Sequence, residues 1–365
     1  MDLDGDVRSR VAAVEIWTSG ISIPKFAAKH AVRVEAAGYD GLLLVDSQNL
    51  AGDTYVALTA CALATSSLKL ATGVTNPFTR HPAATAAAIA SVDAESGGRT
   101  VLGIGRGDSA LAHLGRAPAS VGYFEKYLRT VVAYLRGDEL PFEALDPFMP
   151  SDAPPPVDAL DLAGQPATSR MHWLRPEAKP VPVDVSASGP RMIAVAARHA
   201  QRITFGVGAN VERMRWAIDT ARAAAGDNPV ALGAHLNVVA HPDLEIGRKL
   251  ASGTMSTFAR FNVMHGATNG PMFGGGTETL DRLHDSYDMN FHTRGDSPQA
   301  AQLDPDFVDQ FGIVGPPSYC VERLLELAEL GLGHFTIVGP GLGSDPAEAS
   351  AAIARFNDEV LPALR

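Results

Sequence analysis

Eight short segments rich in Val, Ile and Leu alternate along this chain with longer segments that have the period of an amphipathic helix. Short apolar strands separated by helices are typical of a parallel sheet that is buried on both faces. Eight such units are the number that closes into a barrel. We therefore predict an α/β protein, a (β/α)8 TIM barrel forming a single domain over residues 1–365, with strands at Val11–Trp17, Gly41–Val45, Leu68–Val74, Thr100–Gly105, Pro182–Ser186, Arg202–Val207, Ala231–Ala240 and His334–Gly339.

Local signals mark the ends of several helices. Gly38 follows the first helical segment and predicts its C-terminus, because glycine readily adopts the left-handed conformation that ends a helix. Asp53 predicts an N-cap for the second helix. Asp345-Pro346-Ala347-Glu348 combines an N-cap, a proline at the first helical position and the third-position Glu of a capping box, which predicts the start of the last helix.

The chain is longer than a plain barrel. Such a barrel needs about 250 residues, so the 365 residues here predict insertions at the C-terminal face, at about 137–180 and 252–317. The first is rich in proline. The second places aromatic and Met side chains between glycines, which indicates either a mobile lid over an apolar pocket or a packed excursion or subunit contact.

Composition excludes several classes of protein. A net charge of -11 without a basic cluster argues against nucleic-acid binding. No apolar run is long enough to cross a bilayer, and the acidic N-terminus does not resemble a secretion signal, so we expect a cytoplasmic protein without a membrane partner. Cys61 and Cys320 lie in helical segments and are expected to be free thiols. No metal-binding, Walker or G-x-S-x-G motif is present.

The candidate site lies where strands end, because the active face of such a barrel is built from the strand C-termini and the loops that follow them. A carboxylate and a hydroxyl follow the second strand, at Asp46 and Ser47. The third strand ends in Gly73-Val74-Thr75-Asn76, where a glycine allows a flat ring to approach the backbone. The fourth ends in Gly105-Arg106-Gly107-Asp108-Ser109. The fifth leads into Ser186-Ala187-Ser188-Gly189-Pro190-Arg191, a small-residue turn that opens a helix and suits a phosphate; simple capping by Ser188 is the alternative.

Together, these segments resemble the bacterial-luciferase-like superfamily of flavin- and deazaflavin-dependent oxidoreductases, and most closely its methylenetetrahydromethanopterin-reductase-like branch. The resemblance covers most of the chain. It is carried by Ala36–Gly41, Gly73–Pro77, Thr79–Pro82, Ser96–Arg99, Gly103–Asp108, Ser188–Arg191 and Gly315–Leu324.

The resemblance implies a cofactor, coenzyme F420 or FMN, and a cis peptide at Gly73-Val74. It also implies roles for residues by position. Asp46 and Ser47 line the ring, Thr75 and Asn76 contact it, Gly105 to Ser109 flank the ribityl chain, and Ser186, Ala187, Ser188, Gly189 and Pro190 hold the phosphate. Asp46, Asn76 and Asp108 become the candidate catalytic residues, with Asp108 as the proton donor. Two departures, Ala200–Arg202 and the Asp46-Ser47-Gln48 run, argue against sugar-phosphate oxidation.

Three hypotheses follow for the function. The first is hydride transfer between coenzyme F420 and a small organic substrate. The second is an FMN-dependent monooxygenase that uses O2 and reduced flavin supplied by a partner flavin reductase. The third is a barrel that binds flavin without turnover. Relatives commonly pair through helices near the second and third strands, so a homodimer is expected.

Overall fold

In the computed structural model, which describes residues 14–175 and 177–365, eight parallel strands form a closed barrel. Neighbouring strands pair in chain order from β1 to β7, and β9 closes the barrel between β7 and β1. All eight predicted strands are confirmed, with ends that shift by a few residues; Val11–Ala13 of the first lie outside the described residues. The strands, including a ninth outside the barrel, are β1 Glu15–Gly20, β2 Gly41–Leu44, β3 Lys69–Thr72, β4 Thr100–Ile104, β5 Val183–Ala187, β6 Arg202–Phe205, β7 Ala231–Ala240, β8 Ile313–Gly315 and β9 His334–Val338.

Side chains fill the barrel, so its interior is a core and not a channel. Trp17, Leu43, Ala71 and Val101 form one buried layer inside it. The indole of Trp17 fits because the neighbouring strand offers a glycine: a Cβ on Gly41 would lie 2.2 Å from the ring.

Helices surround the barrel, and their ends carry the predicted caps. Gly38 ends the first helix in the left-handed conformation (φ 91°). Asp53 and Asp345 each accept hydrogen bonds from two backbone amides at the start of their helices. Glu348 does not complete a capping box, because its carboxylate contacts His241 Nε2 at 3.1 Å instead. The helices are α1 Phe26–Ala37, α2 Thr54–Ala64, α3 Pro82–Ser96, α4 Ser109–Ala112, α5 Val121–Arg136, α6 Pro190–His199, α7 Val211–Ala225, α8 Leu244–Arg260, α9 Gly276–Ser286, α10 Pro305–Phe311, α11 Pro317–Glu329 and α12 Pro346–Arg355.

The two insertions differ from each other. The segment 137–180 joins the end of α5 to the start of β5, so it leaves the barrel at the face opposite the expected one. Within it, Phe148 packs against His81 and Tyr123. The segment 252–317 does cover the C-terminal face. It forms helices around a second apolar core that includes Leu250, Leu283 and Phe311, so it is a packed excursion.

Cys61 and Cys320 are buried, free thiols within α2 and α11, as predicted. Of the helices in residues 14–175 and 177–365, none combines the length and the apolar character that a transmembrane helix needs.

Candidate functional site

The chain after β3 forms a buried turn at the C-terminal face. The Gly73-Val74 peptide bond is cis, as the resemblance implied. The amide of Thr75 donates to Gly103 O at 2.9 Å, and the amide of Gly105 donates to Thr75 O at 2.9 Å, so the turn is tied to the end of β4.

Two side chains of this turn have unused hydrogen-bonding capacity. Thr75 and Asn76 are fully buried. Asn76 Oδ1 accepts from the amides of Phe78 (3.0 Å) and Thr79 (3.2 Å). Asn76 Nδ2 and Thr75 Oγ1, however, have no hydrogen-bond partner among the described residues. Buried polar atoms are nearly always paired, so these two groups indicate a place for a bound polar molecule.

The glycines at this end of the barrel serve the protein's own packing. A Cβ on Gly73 would lie 2.6 Å from Leu43 Cβ, and one on Gly103 would lie 2.0 Å from Thr72 O. The direction that a side chain would take at Gly73 is therefore filled by Leu43 of β2.

Asp46 is buried behind an ion pair. Arg80 Nη1 contacts Asp46 Oδ2 at 2.7 Å, and Gln48 Nε2 donates to Asp46 Oδ1 at 2.7 Å. Arg80 also pairs with Asp53 at 2.8 Å and lies over the ring of Tyr55. Burial raises the pKa of Asp46, against the opposing charge of Arg80. Both oxygens of Asp46 are thus occupied by protein donors.

Asp108 lies in the loop after β4 and is also ion-paired. Its Oδ1 contacts Arg260 at the end of α8, and its Oδ2 is buried without a hydrogen bond to any described residue. Asp108 Oδ1 is thus engaged by Arg260, and Oδ2 is the oxygen of this carboxylate that no described residue occupies. Nearby, Ser47 Oγ lies 3.4 Å from Ser109 Oγ, which brings the loops after β2 and β4 together.

The turn after β5 opens α6 at Gly189, the N-cap residue. No side chain caps this helix, so the alternative role of Ser188 as a cap is not observed. Ser186 lies deeper, because its hydroxyl is 2.9 Å from His235 Nε2 inside the barrel. Ala187 is buried, whereas Ser188, Gly189 and Pro190 are solvent-accessible at the N-terminus of α6. The amide groups of this first turn suit an anion.

Three basic side chains, Arg106, Arg191 and His265, lie around the N-terminus of α6, and we call this feature the basic mouth. Both terminal nitrogens of Arg106 lie 3.3 Å from His265 Nε2. Burial and the nearby charge of Arg191 lower the pKa of Arg106, and burial and both arginines lower the pKa of His265. Within the described part of the chain, neither Arg106 nor Arg191 has a carboxylate partner. Uncompensated positive charge at a helix N-terminus is well suited to a phosphate group.

These features fit a coenzyme with a polar ring and a phosphorylated tail. The unpaired Thr75 and Asn76 groups follow β3, and the basic mouth follows β5, on either side of the loop after β4. Among the residues that the structure describes, no three His, Cys, Asp or Glu side chains are grouped as a metal site.

Several residues that the fold brings to this face had no role predicted from the sequence. Arg80 lies within Thr79–Pro82, one of the stretches that carry the family resemblance, without a role of its own. The second insertion contributes Arg260, His265 and His292. Arg260, for example, pairs with Asp108, which lies more than 150 positions earlier in the chain. No local pattern connects them to the strand ends, so the sequence carried no signal for them.

Comparisons with known proteins show the family of this chain. The family described as luciferase-like monooxygenase matches residues 13–334. A 5,10-methylenetetrahydromethanopterin reductase from Methanolobus tindarius is 24% identical over 336 residues, which cover 90% of this chain and 94% of that protein. The reductase of the same name from Archaeoglobus fulgidus is 26% identical over 343 residues, covering 91% and 93%.

Solved structures share the fold. The coenzyme F420-dependent tetrahydromethanopterin reductase from Methanopyrus kandleri superposes with a TM-score of 0.69 at 20% identity, over 97% of this chain and 100% of that one. The oxygenating constituent of 3,6-diketocamphane monooxygenase from Pseudomonas putida, in complex with FMN, gives a TM-score of 0.60 at 17% identity, over 96% and 98%. Both are similar to this chain along nearly its whole length.

Proposed function

The chain belongs to the luciferase-like monooxygenase family, and on that premise we propose that it is an oxidoreductase that transfers hydride between coenzyme F420 and a small organic molecule. The observation that carries this proposal is the pairing of a polar, partly unsatisfied turn after β3 with a basic helix mouth after β5. The methylenetetrahydromethanopterin reductases among the relatives support F420 as the coenzyme.

The protein's contribution is to bind and orient. Bound F420 would supply the hydride chemistry. Thr75 and Asn76 would hold the ring, while Arg106, Arg191 and the free amides of α6 would hold the phosphorylated tail. The packed 252–317 segment covers the face and excludes water, so that substrate and coenzyme meet in a fixed orientation.

A second candidate function uses FMN. Structural neighbours include FMN-containing monooxygenases, and the same ring and phosphate sites would accept a flavin. In that case the chain would require a partner flavin reductase and O2.

Titration with the two coenzymes tests the proposal. We expect the wild-type protein to bind F420 more tightly than FMN, and R191Q to weaken F420 binding about tenfold because a charge-assisted hydrogen bond is lost. Isothermal titration calorimetry measures both. The matched control is R198Q, on the same helix, where Arg198 pairs with Glu125. Tighter binding of FMN would favour the monooxygenase, and binding of neither would overturn both functions.

We further propose a homodimer that forms through α2 and α3. Helix α2 contains no charged side chain, and neither do the first 11 residues of α3, Pro82–Val92. Two apolar side chains of α2 are largely exposed in the protomer, Val56 at 72% and Leu63 at 71%. Apolar surface of this kind is typical of a covered interface.

The expected result is a dimer by light scattering for the wild-type protein and a monomer for V56E/L63E. Both side chains are exposed, so the substitutions leave the protomer core intact. I353E places one such charge on an exposed position of α12 and serves as the control. A monomeric wild type would contradict the proposal.

A further inference from the structure

A chain of hydrogen bonds in the second insertion ends at His292. Thr257 Oγ1 lies 3.2 Å from Tyr287 OH, and Tyr287 OH lies 2.8 Å from His292 Nδ1. Thr257 is buried at the end of α8, so its hydroxyl hydrogen needs an acceptor within the protein.

The chain has one consistent direction. If Thr257 donates to Tyr287 and Tyr287 donates to His292 Nδ1, each hydroxyl hydrogen has an acceptor. In the opposite direction, Tyr287 would donate to Thr257, and the hydroxyl hydrogen of Thr257 would have no acceptor in the described part of the chain. Tyr287 is the only side-chain hydrogen-bond partner of Thr257 among the described residues. The forward direction leaves His292 with its ring hydrogen on Nε2.

His292 is neutral and lies at the active face. Burial above all, with smaller contributions from Arg260 and His113, lowers the pKa of His292 to about 4, against the opposing influence of Asp108. Its partner Tyr287 lies beneath the guanidinium of Arg260, 4.6 Å from the ring centroid, and Arg260 contacts Asp108, so the imidazole lies near the loop after β4. Its Nε2 makes no hydrogen bond to a described residue and is not among the fully enclosed polar atoms, so it is available to a ligand.

The backbone next to His292 is held in an unusual conformation. Thr293 has φ 65°, which is unfavourable for a β-branched residue. Two glycines let this segment approach closely: a Cβ on Gly253 would lie 2.5 Å from Gly295 N, and one on Gly341 would lie 2.7 Å from Thr293 O. Gly295 N also donates to Leu342 O at 2.7 Å. Conformations of this kind persist where the surroundings enforce them, and they cluster at functional sites.

The two carboxylates at this face already contact protein donors. Asp46 accepts from Arg80 and Gln48, and Asp108 Oδ1 contacts Arg260. His292 Nε2, in contrast, makes no hydrogen bond to a described residue.

Resting on the proposed function, we propose that His292 donates a hydrogen bond from Nε2 to the reacting oxygen of the substrate, and that this substrate carries a carbonyl group. A neutral imidazole that donates one hydrogen bond suits a carbonyl oxygen, an uncharged acceptor whose carbon can take a hydride. On hydride addition to that carbon, the C=O π pair would move onto the oxygen, and the resulting alkoxide would take its proton from solvent. His292 would stabilise the developing negative charge and keep its own hydrogen. Thr257 and Tyr287 are positioning residues that fix the tautomer.

Nitrogen NMR of protein labelled at histidine tests this directly, with H292Q used to assign the signals. At pH 7 we expect His292 to carry its hydrogen on Nε2, and we expect its Nε2 signal to shift when cyclohexanone is added. In Y287F, the Nε2 tautomer preference is expected to weaken. A hydrogen on Nδ1, or an Nε2 signal unmoved by saturating cyclohexanone, overturns the proposal. The tautomer is measured without coenzyme, so failure of the coenzyme titration is a separate result.

Kinetics give the second measurement, with reduced F420 and cyclohexanone as the probe. H292F is expected to lower kcat/KM at least 100-fold with the Kd for F420 unchanged within about twofold, because a hydrogen bond to the transition state is lost. H292Q, whose amide can still donate, should recover part of the activity. H284F, an exposed histidine of the same insertion, is the control. Equal activity of H292F and wild type, or no turnover of cyclohexanone by the wild type, contradicts the assignment.

Discussion

Replacing Arg80 with Met is expected to lower the free energy of unfolding by about 3–5 kcal/mol, because it leaves a buried carboxylate without its counter-charge. The Asp46 side chain is 1% exposed and lies 2.7 Å from Arg80 Nη1. Urea denaturation followed by circular dichroism measures the change. The same substitution should weaken coenzyme binding, since Arg80 belongs to the turn that positions Thr75 and Asn76.

Two further variants separate the buried pair from the exposed one. D53N removes only the half-exposed partner of Arg80 and keeps a side-chain oxygen that can cap α2. It should therefore lower the free energy of unfolding by less than about 1 kcal/mol. D46N/R80M should be more stable than R80M, because a neutral amide replaces the orphaned charge. If R80M and D53N lose the same stability, or if the double variant is no better than R80M, the ion pair with Asp46 is not what stabilises this turn.

The barrel was predictable from the sequence because its signals are local. Each strand is a short apolar run, and each cap is set by one or two residues such as Gly38 or Asp53. β8 was not predicted. It has only three residues and exists because it pairs with the far end of β7, 75 positions earlier in the chain (Val238 with Ile313). Pairing at that separation leaves no periodic signal.

The candidate site was predictable only in part, for the same reason. The strand ends could be located, and with them Thr75, Asn76 and Asp108. What the sequence could not show is which groups face them. Arg260 comes from α8 to pair with Asp108, and His265 comes from the second insertion to meet Arg106. The functional roles of the strand-end residues remain predictions.

The second insertion is fixed to the barrel by a buried cation. Arg213, in α7, is fully buried. It donates to Val207 O at 3.1 Å, to Asn262 Oδ1 at 2.8 Å and to Asn269 O at 3.0 Å, and also to Pro271 O. Burial lowers the pKa of Arg213 to about 10, so the side chain stays charged at neutral pH. One guanidinium thereby holds the segment 262–271 against the end of β6.

R213M is therefore expected to lose about 3–5 kcal/mol of stability, because several buried carbonyl oxygens lose their donor at once and each costs about 1–3 kcal/mol. Hydrogen exchange should accelerate most in residues 262–272, and the loosened loop should carry His265 away from Arg106, so coenzyme affinity falls with it. R215M, an exposed arginine of the same helix, controls for the loss of charge. Unchanged exchange in the insertion of R213M would mean that its apolar core, including Leu283 and Phe311, holds the segment in place without the cation.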